Sequence, residues 1–243
     1  MHFNASISSA QDATTALEQD GFCWVSPSLL SSITHISANE LAQFTPYWAR
    51  LAQDHFLKDA GQYRLRRHSS YRVNKTDVEQ VPHRAHWQSI DHNALHGGIE
   101  RLFEPVESAL SSMPAWARLM TSLARLFTPA DHNPLWFTEA HQFRINTNGG
   151  MGRPTPEGAH RDGVDFVAII LMARHCIKGG ETRVFNIAGN EGLRLTLTEP
   201  FSMLLLNDHR IIHETTAIQD SGGAGHRDTL VLTYRSGGFQ SRI

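Results

Sequence analysis

The stretch PEGAHRDGVDF, residues 156 to 166, carries two potential metal ligands one residue apart, His160 and Asp162, and its central tripeptide returns as His226-Arg227-Asp228. If the chain enters a strand here, the period of two puts His160 and Asp162 on one face and turns Arg161 away. An imidazole beside a carboxylate is two thirds of a metal site. A second histidine from another strand would complete the two-histidine, one-carboxylate set that covers one face of an octahedral ferrous ion and leaves three positions open. His213, inside the apolar pattern RIIHETT that follows FSMLLLND, is the candidate. His209 competes, since His209 to His213 has the spacing of the helical zinc motif HExxH, but Arg210 stands where that motif needs its glutamate. The chain has fifteen histidines, so spacing alone leaves ordinary structural histidines as the default reading. A protein-kinase catalytic loop would need Asn five residues beyond the Asp, where this chain has Val167 and Thr233, and no Gly-rich phosphate loop lies upstream.

Outward from this stretch the chain divides. From residue 134 onward it is a succession of short apolar or alternating runs, WFTEAHQFRI, VDFVAIILMAR, ETRVFNI, LRLTLT, FSMLLL, RIIHETTAI and TLVLTYR, separated by turns such as Gly179-Gly180. Regular strands with Gly-rich turns predict a sandwich or barrel. VAIILMA is apolar on both faces, as expected of a strand held between a second sheet and a helical layer. Before residue 130, helices are expected over Ala10 to Glu18, Ser28 to Phe44, and Ile99 to Phe127 with a break at Pro114. YRLRRHSSYRV, residues 63 to 73, reads as a strand with Arg64 and Arg66 on one face, by default a solvated edge and alternatively a face turned to substrate. The expectation is α+β with a mainly β core, one domain over 1–243, largely helical over 1–130 and β over 131–243.

Composition narrows the partners. A net charge of -2 and 40% hydrophobic residues give a sizeable core and no electrostatic footprint for nucleic acid. The longest apolar run, Phe166 to Ala173, is far short of the ~20 residues of a spanning helix, and MHFNASISSA lacks the pattern of a secretory signal. Cys23 and Cys176 suit two buried thiols in a reducing cytoplasm better than a bridge. The reading is cytoplasmic, with a small-molecule partner.

PTPEGAHRDGVDF, GGETRVF, HETTAI and HRDTLVLTYR together resemble a bacterial family of iron and 2-oxoglutarate dioxygenases, which includes the free L-isoleucine 4-hydroxylase and biofilm stress and motility protein homologues. The similarity extends through the Arg-rich strand and HWQSIDHNALHGGIERLF, covering roughly residues 60 to 236, with PEGxHxDG its most specific part. The resemblance implies a double-stranded β-helix, a cupin-like jelly roll, packed against the N-terminal helical layer. It implies Fe(II) held by His160, Asp162 and His213, with 2-oxoglutarate and O2 as cosubstrates. It also implies an arginine, Arg227, that grips the far carboxylate of 2-oxoglutarate, a task suited to a planar guanidinium. Arg235 is the alternative anchor on the same strand face, while His226 and Asp228 should point away. Glu157 is a candidate for a substrate ammonium and Arg144 for a substrate carboxylate. Thr182 is explained by its turn, and the Gly/Pro-rich loop 146–158 could close over substrate. The implied reaction is hydroxylation of an unactivated C–H bond of a free aliphatic L-amino acid, 2-oxoglutarate going to succinate and CO2. The alternatives are a hydroxylase of a carrier-bound or protein residue, and a stress or biofilm metal-binding protein with little turnover.

Overall fold

The structure, a computed structural model, describes residues 7–58, 61–148, 150–189 and 192–242. Its helices are α1 (Ala10–Gln19), α2 (Pro27–Thr34), α3 (Ala38–Ala42), α4 (Ser108–Ser111) and α5 (Pro114–Leu126), with a 3-10 turn at Thr45–Arg50. Its strands are β1 (Phe22–Val25), β2 (Ala52–Gln53), β3 (Arg64–Val73), β4 (Val78–Gln80), β5 (Trp136–Asn146), β6 (Met151–Gly152), β7 (Phe166–His175), β8 (Ile177–Gly179), β9 (Thr182–Asn186), β10 (Gly192–Leu195), β11 (Met203–Asn207), β12 (Ile211–Thr215), β13 (Ile218–Asp220) and β14 (His226–Arg235).

Antiparallel pairing builds a major sheet in the order β1-β11-β7-β14-β5-β3-β2, with β4 on β3, and two small sheets, β10-β9-β12 and β6-β13-β8. This is a cupin-like jelly roll, as the resemblance implied, with helices on one side. The alternation of β7 shows why. Ala168, Ile170 and Met172 join Leu119, Met120 and Leu123 of α5 in the larger core, whereas Val167, Ile169 and Leu171 join Val184 and Ile211 of the small sheet in a second core. Both faces of β7 are therefore covered, and its continuous apolar run is the consequence. On the long strands β3, β5 and β14 the helix-facing side contributes Tyr71, Val73, Ala140, Leu230, Leu232 and Tyr234 to the larger core. Their other face carries the polar residues described below. Tyr234 ties the two layers by donating its hydroxyl hydrogen to the Met120 carbonyl at 3.0 Å.

Several expectations change. The helix expected from Ser28 to Phe44 is two: His35 closes α2 in the left-handed region (φ 53°), and Ser37 opens α3 with a reciprocal capping box to Glu40. The block from Ile99 is helical only from Ser108, and Pro114 enters α5 in its first turn, where its missing N–H costs nothing. β1 to β4 all belong to the major sheet, so the first 130 residues supply half of its eight strands. Cys23 is buried but Cys176 is exposed, and both are free thiols. Among the described residues, no helix is long and apolar enough to cross a membrane.

Candidate functional site

The stretch 156–166 does not become a strand throughout. His160 instead forms a single antiparallel bridge to His213 of β12, with N–H to carbonyl distances of 3.0 and 2.9 Å in the two directions. This bridge brings the two imidazoles together, ring centroids 4.6 Å apart. Asp162 lies on the same side: Oδ1 is 3.6 Å from His160 Nε2 and Oδ2 is 3.8 Å from His213 Nε2. His160 Nδ1 sits 2.9 Å from the Gly158 carbonyl and must donate to it, so the Nε2 lone pair faces the carboxylate. Two lone pairs aimed at one point need a cation between them, which is what a metal donor set requires. Without a metal a proton takes that place. Burial opposes protonation of His160, but the Asp162 carboxylate 3.6 Å away and the charge of Glu157 win and lift its pKa to about 9. Burial and His160 lower His213 to about 4.

The carboxylate is held by a turn that the sequence did not advertise. Asp208, fully buried, accepts from the backbone N–H of Asp162 (2.9 Å), Gly163 (2.7 Å) and Val164 (3.1 Å). Burial and the Asp162 charge push the Asp208 carboxyl up to about 6, against the pull of those donors. Arg161, turned outward, donates to the Asp208 carbonyl at 2.6 Å. Gln88 and Gln240 both donate to the Asp162 carbonyl, at 3.2 and 2.8 Å. Gly163 has φ +76°, and a Cβ there would lie 2.3 Å from His92, so glycine is required where the 86–103 segment crosses the motif.

A cavity opens from this triad across the inner face of β14, β5 and β3. Cross-strand register sets its rows: Arg227, Ile145 and Arg64; then Thr229, Phe143 and Arg66; then Val231, His141 and His68; then Thr233, Glu139 and Ser70. Arg64 and Arg66 are buried rather than solvated, because residues 86–103 form a strap over them, closed by paired backbone hydrogen bonds between His86 and Arg101. A second group of possible ligands lies here: His68, His86, Glu139 and His141, all buried, with ligand atoms within 4.8 Å of one another, as in the His160, Asp162, His213 group. Glu139 is 2.8 Å from His86 Nδ1 and 3.3 Å from His68 Nε2. Burial keeps all three imidazoles in the neutral direction, His86 down to about 4, while they and their hydrogen bonds hold Glu139 ionised despite its burial.

Of the residues expected at the site, His160, Asp162, His213, Arg227 and Glu157 line this one cavity. Arg144 does not. It sits on the other face of β5 and grips Asp228 with two bonds of 2.7 and 2.6 Å, so the expected substrate contact is replaced by a structural ion pair. His226 and Asp228 share that outer face, their side chains 3.7 Å apart. Arg235 is eight residues beyond Arg227, about 27 Å along the strand, and bonds to the Gly238 carbonyl. Thr182 is buried against Thr215, hydroxyl to hydroxyl 3.0 Å. His209 pairs with Asp165 at 2.9 Å, outside the cavity. Residue 149 of the 146–158 loop lies outside the described residues.

A jelly roll with a His-Asp-His donor set facing a buried arginine defines a non-haem iron oxygenase architecture. The 2OG-Fe dioxygenase family model matches residues 45–233, and the chain belongs to that family. It is an Fe(II)-, 2-oxoglutarate- and O2-dependent dioxygenase. A bsmA homolog from Methylobium petroleophilum PM1 is 46% identical with a TM-score of 0.91, each chain covered over 100%. IDO from Bacillus thuringiensis is 18% identical, TM-score 0.76, covering 95% of this chain and 100% of its own. A 2OG-Fe(II) oxygenase family oxidoreductase from Burkholderia pseudomallei is 16% identical, TM-score 0.60, covering 100% and 99%. No curated protein matches the chain.

Proposed function

We propose that His160, Asp162 and His213 hold the ferrous ion, that Arg227 anchors the distal carboxylate of 2-oxoglutarate, and that the substrate is a free aliphatic L-amino acid. Bound iron with 2-oxoglutarate and dioxygen supplies the oxidising power that hydroxylates an unactivated C–H bond, with succinate and CO2 as the other products. The chain's own residues bind, orient and exclude water. Of the two possible ligand groups, the His160 group is the better fit: its lone pairs converge, and Glu139 in the other group is already surrounded by imidazole donors.

The observation that carries the reading is Arg227. Its guanidinium is buried, lines the same cavity as the triad, and has an Nε without a hydrogen-bond partner among the described residues. Burial and nearby Arg174 lower its pKa to about 10, the mark of a charge without its counter-ion. A dicarboxylate spanning iron and Arg227 would supply that counter-ion. Glu157 supports an amino-acid substrate, since its Oε2 is buried and unpartnered beside His160, with Oε1 3.6 Å from Nε2. Val164, Ile169 and Val231 give the cavity an apolar wall suited to an aliphatic side chain.

The test is anaerobic purification, reconstitution with ferrous iron and 2-oxoglutarate, then exposure to oxygen with a panel of free amino acids. Hydroxylated product and matching succinate are expected with at least one of them. Succinate coupled only to a peptide or carrier-bound residue would replace the substrate assignment, and no 2-oxoglutarate turnover with any substrate would favour a metal-binding role.

A further inference from the structure

We infer that Arg66 and Arg101, with Arg64 beside them, form a second anion seat that takes the substrate carboxylate, so that the substrate is a small free acid and not a residue inside a peptide. The inference rests on the function proposed above and names the group that function must recognise.

Four buried guanidiniums face the cavity: Arg64, Arg66, Arg101 and Arg227. Among the described residues, only Arg64 of the four has a carboxylate of its own, Asp54, at 2.7 Å. Arg101 makes no salt bridge among the described residues, and its Nε and Nη2 are buried without hydrogen-bond partners. Arg66 lies 3.9 Å from the Phe103 ring centroid and 4.6 Å from that of Phe143, which fix its plane but leave its charge unneutralised. Its Nη2 donates to His141 Nδ1 at 2.7 Å, while Nε has no partner. Arg64 Nη2 is likewise unpartnered. Three adjacent cations with one committed carboxylate are costly to bury unless a ligand anion completes them.

The same contacts argue against a cation here. Because Arg66 can only donate, His141 Nδ1 must accept, which places the imidazole proton on Nε2, the nitrogen 3.7 Å from Glu139. That nitrogen then has no lone pair for a metal, and the neighbouring guanidiniums repel one. The seat is also separate from the Arg227 anchor. Arg64 and Arg227 lie opposite the same residue, Ile145, on either side of β5, two strand spacings or about 10 Å apart. Glu157 lies near enough to Arg101 for its charge to be felt there. A zwitterion could therefore place its carboxylate on Arg66 and Arg101 and its ammonium on Glu157.

The experiment uses the full chain loaded with Zn(II) and 2-oxoglutarate, dialysed against the twenty common L-amino acids and, separately, against their amides. At least one acid should be retained, with its amide bound about 30-fold more weakly or worse. Arg101→Gln should weaken that acid by about 30-fold while changing 2-oxoglutarate affinity less than about threefold. In the ligand-free state Arg101→Gln should melt at the same or a higher temperature than wild type, since the uncompensated charge is gone. Retention of no acid, equal binding of the amide, loss of 2-oxoglutarate binding in Arg101→Gln, or a melting temperature several degrees lower would each overturn the seat. Succinate formed by the iron-loaded wild type without substrate reads the proposed function separately. Succinate without acid retention removes the seat alone, and absence of both removes the seat together with the function it rests on.

Discussion

The two His-Arg-Asp tripeptides are the same three letters in opposite arrangements. At 160–162 the backbone makes one bridge and then turns over Asp208, so histidine and aspartate face inward and arginine outward. At 226–228 the tripeptide opens the ten-residue strand β14, and strict alternation puts Arg227 inside and His226 and Asp228 outside, where Asp228 meets Arg144. What a side chain does here is decided by how the backbone presents it, by a bridge and turn in one copy and by strand phase in the other, not by local sequence.

Asp162→Ala sharpens the contrast most. Iron content should fall by more than the roughly 100-fold that loss of an outer hydrogen bond can cost, whereas Asp228→Ala should leave iron bound and lower stability by freeing Arg144; metal analysis and thermal melts of both variants check this. Arg227→Ala should raise the 2-oxoglutarate dissociation constant about 30-fold or more with iron retained, and Arg161→Ala should change it by no more than about fivefold. Equal effects from the two arginines would break the comparison. Asp208→Asn, which weakens the turn beneath Asp162, should lower iron affinity roughly 10- to 100-fold without direct loss of a ligand.

The smallest effect is a pH dependence that belongs to the other end of the cavity. Burial depresses His86 to about 4 and lowers His68 and His141, and Glu139 is lowered as well. For all four the unfolded chain binds more protons in acid: the contribution of the three histidines is complete above pH 6.5 and is lost as pH falls toward 4, while that of Glu139 is complete above pH 4.5 and is lost only below it. For His86 the loss is on the order of 3 kcal/mol across the first of these windows. Denaturant midpoints should fall steadily from pH 7 to pH 4, and His86→Gln should flatten the curve.

Much of the triad end could be read in advance, because His160 and Asp162 are two apart and β7 announces itself by apolar residues on both faces. The arginine end could not. Arg64, Arg66 and His68 on β3, and Glu139 and His141 on β5, alternate as polar residues do on a solvated face. Only the strap from His86 to Phe103 makes that face an interior, and the strap has little regular structure of its own to reveal where it lies. A usable signal was present: Arg, Arg and His at every second place opposite a Glu-x-His strand is an unusual density of costly groups for a plain edge. Ser37-x-x-Glu40 likewise marked a helix start inside what periodicity read as one helix.

The pairing of β1 with β11 sets the order of events during synthesis. Phe22 lies opposite Leu206, 184 positions later, so at ordinary elongation rates the ribosome needs roughly 9 to 37 s after making one strand before it delivers the neighbour. For that interval β1 has no strand to pair with, and Cys23 and Val25, buried in the finished fold, lack the neighbour that helps cover them. Expression yield should therefore depend on chaperone supply more than on the strength of the finished core.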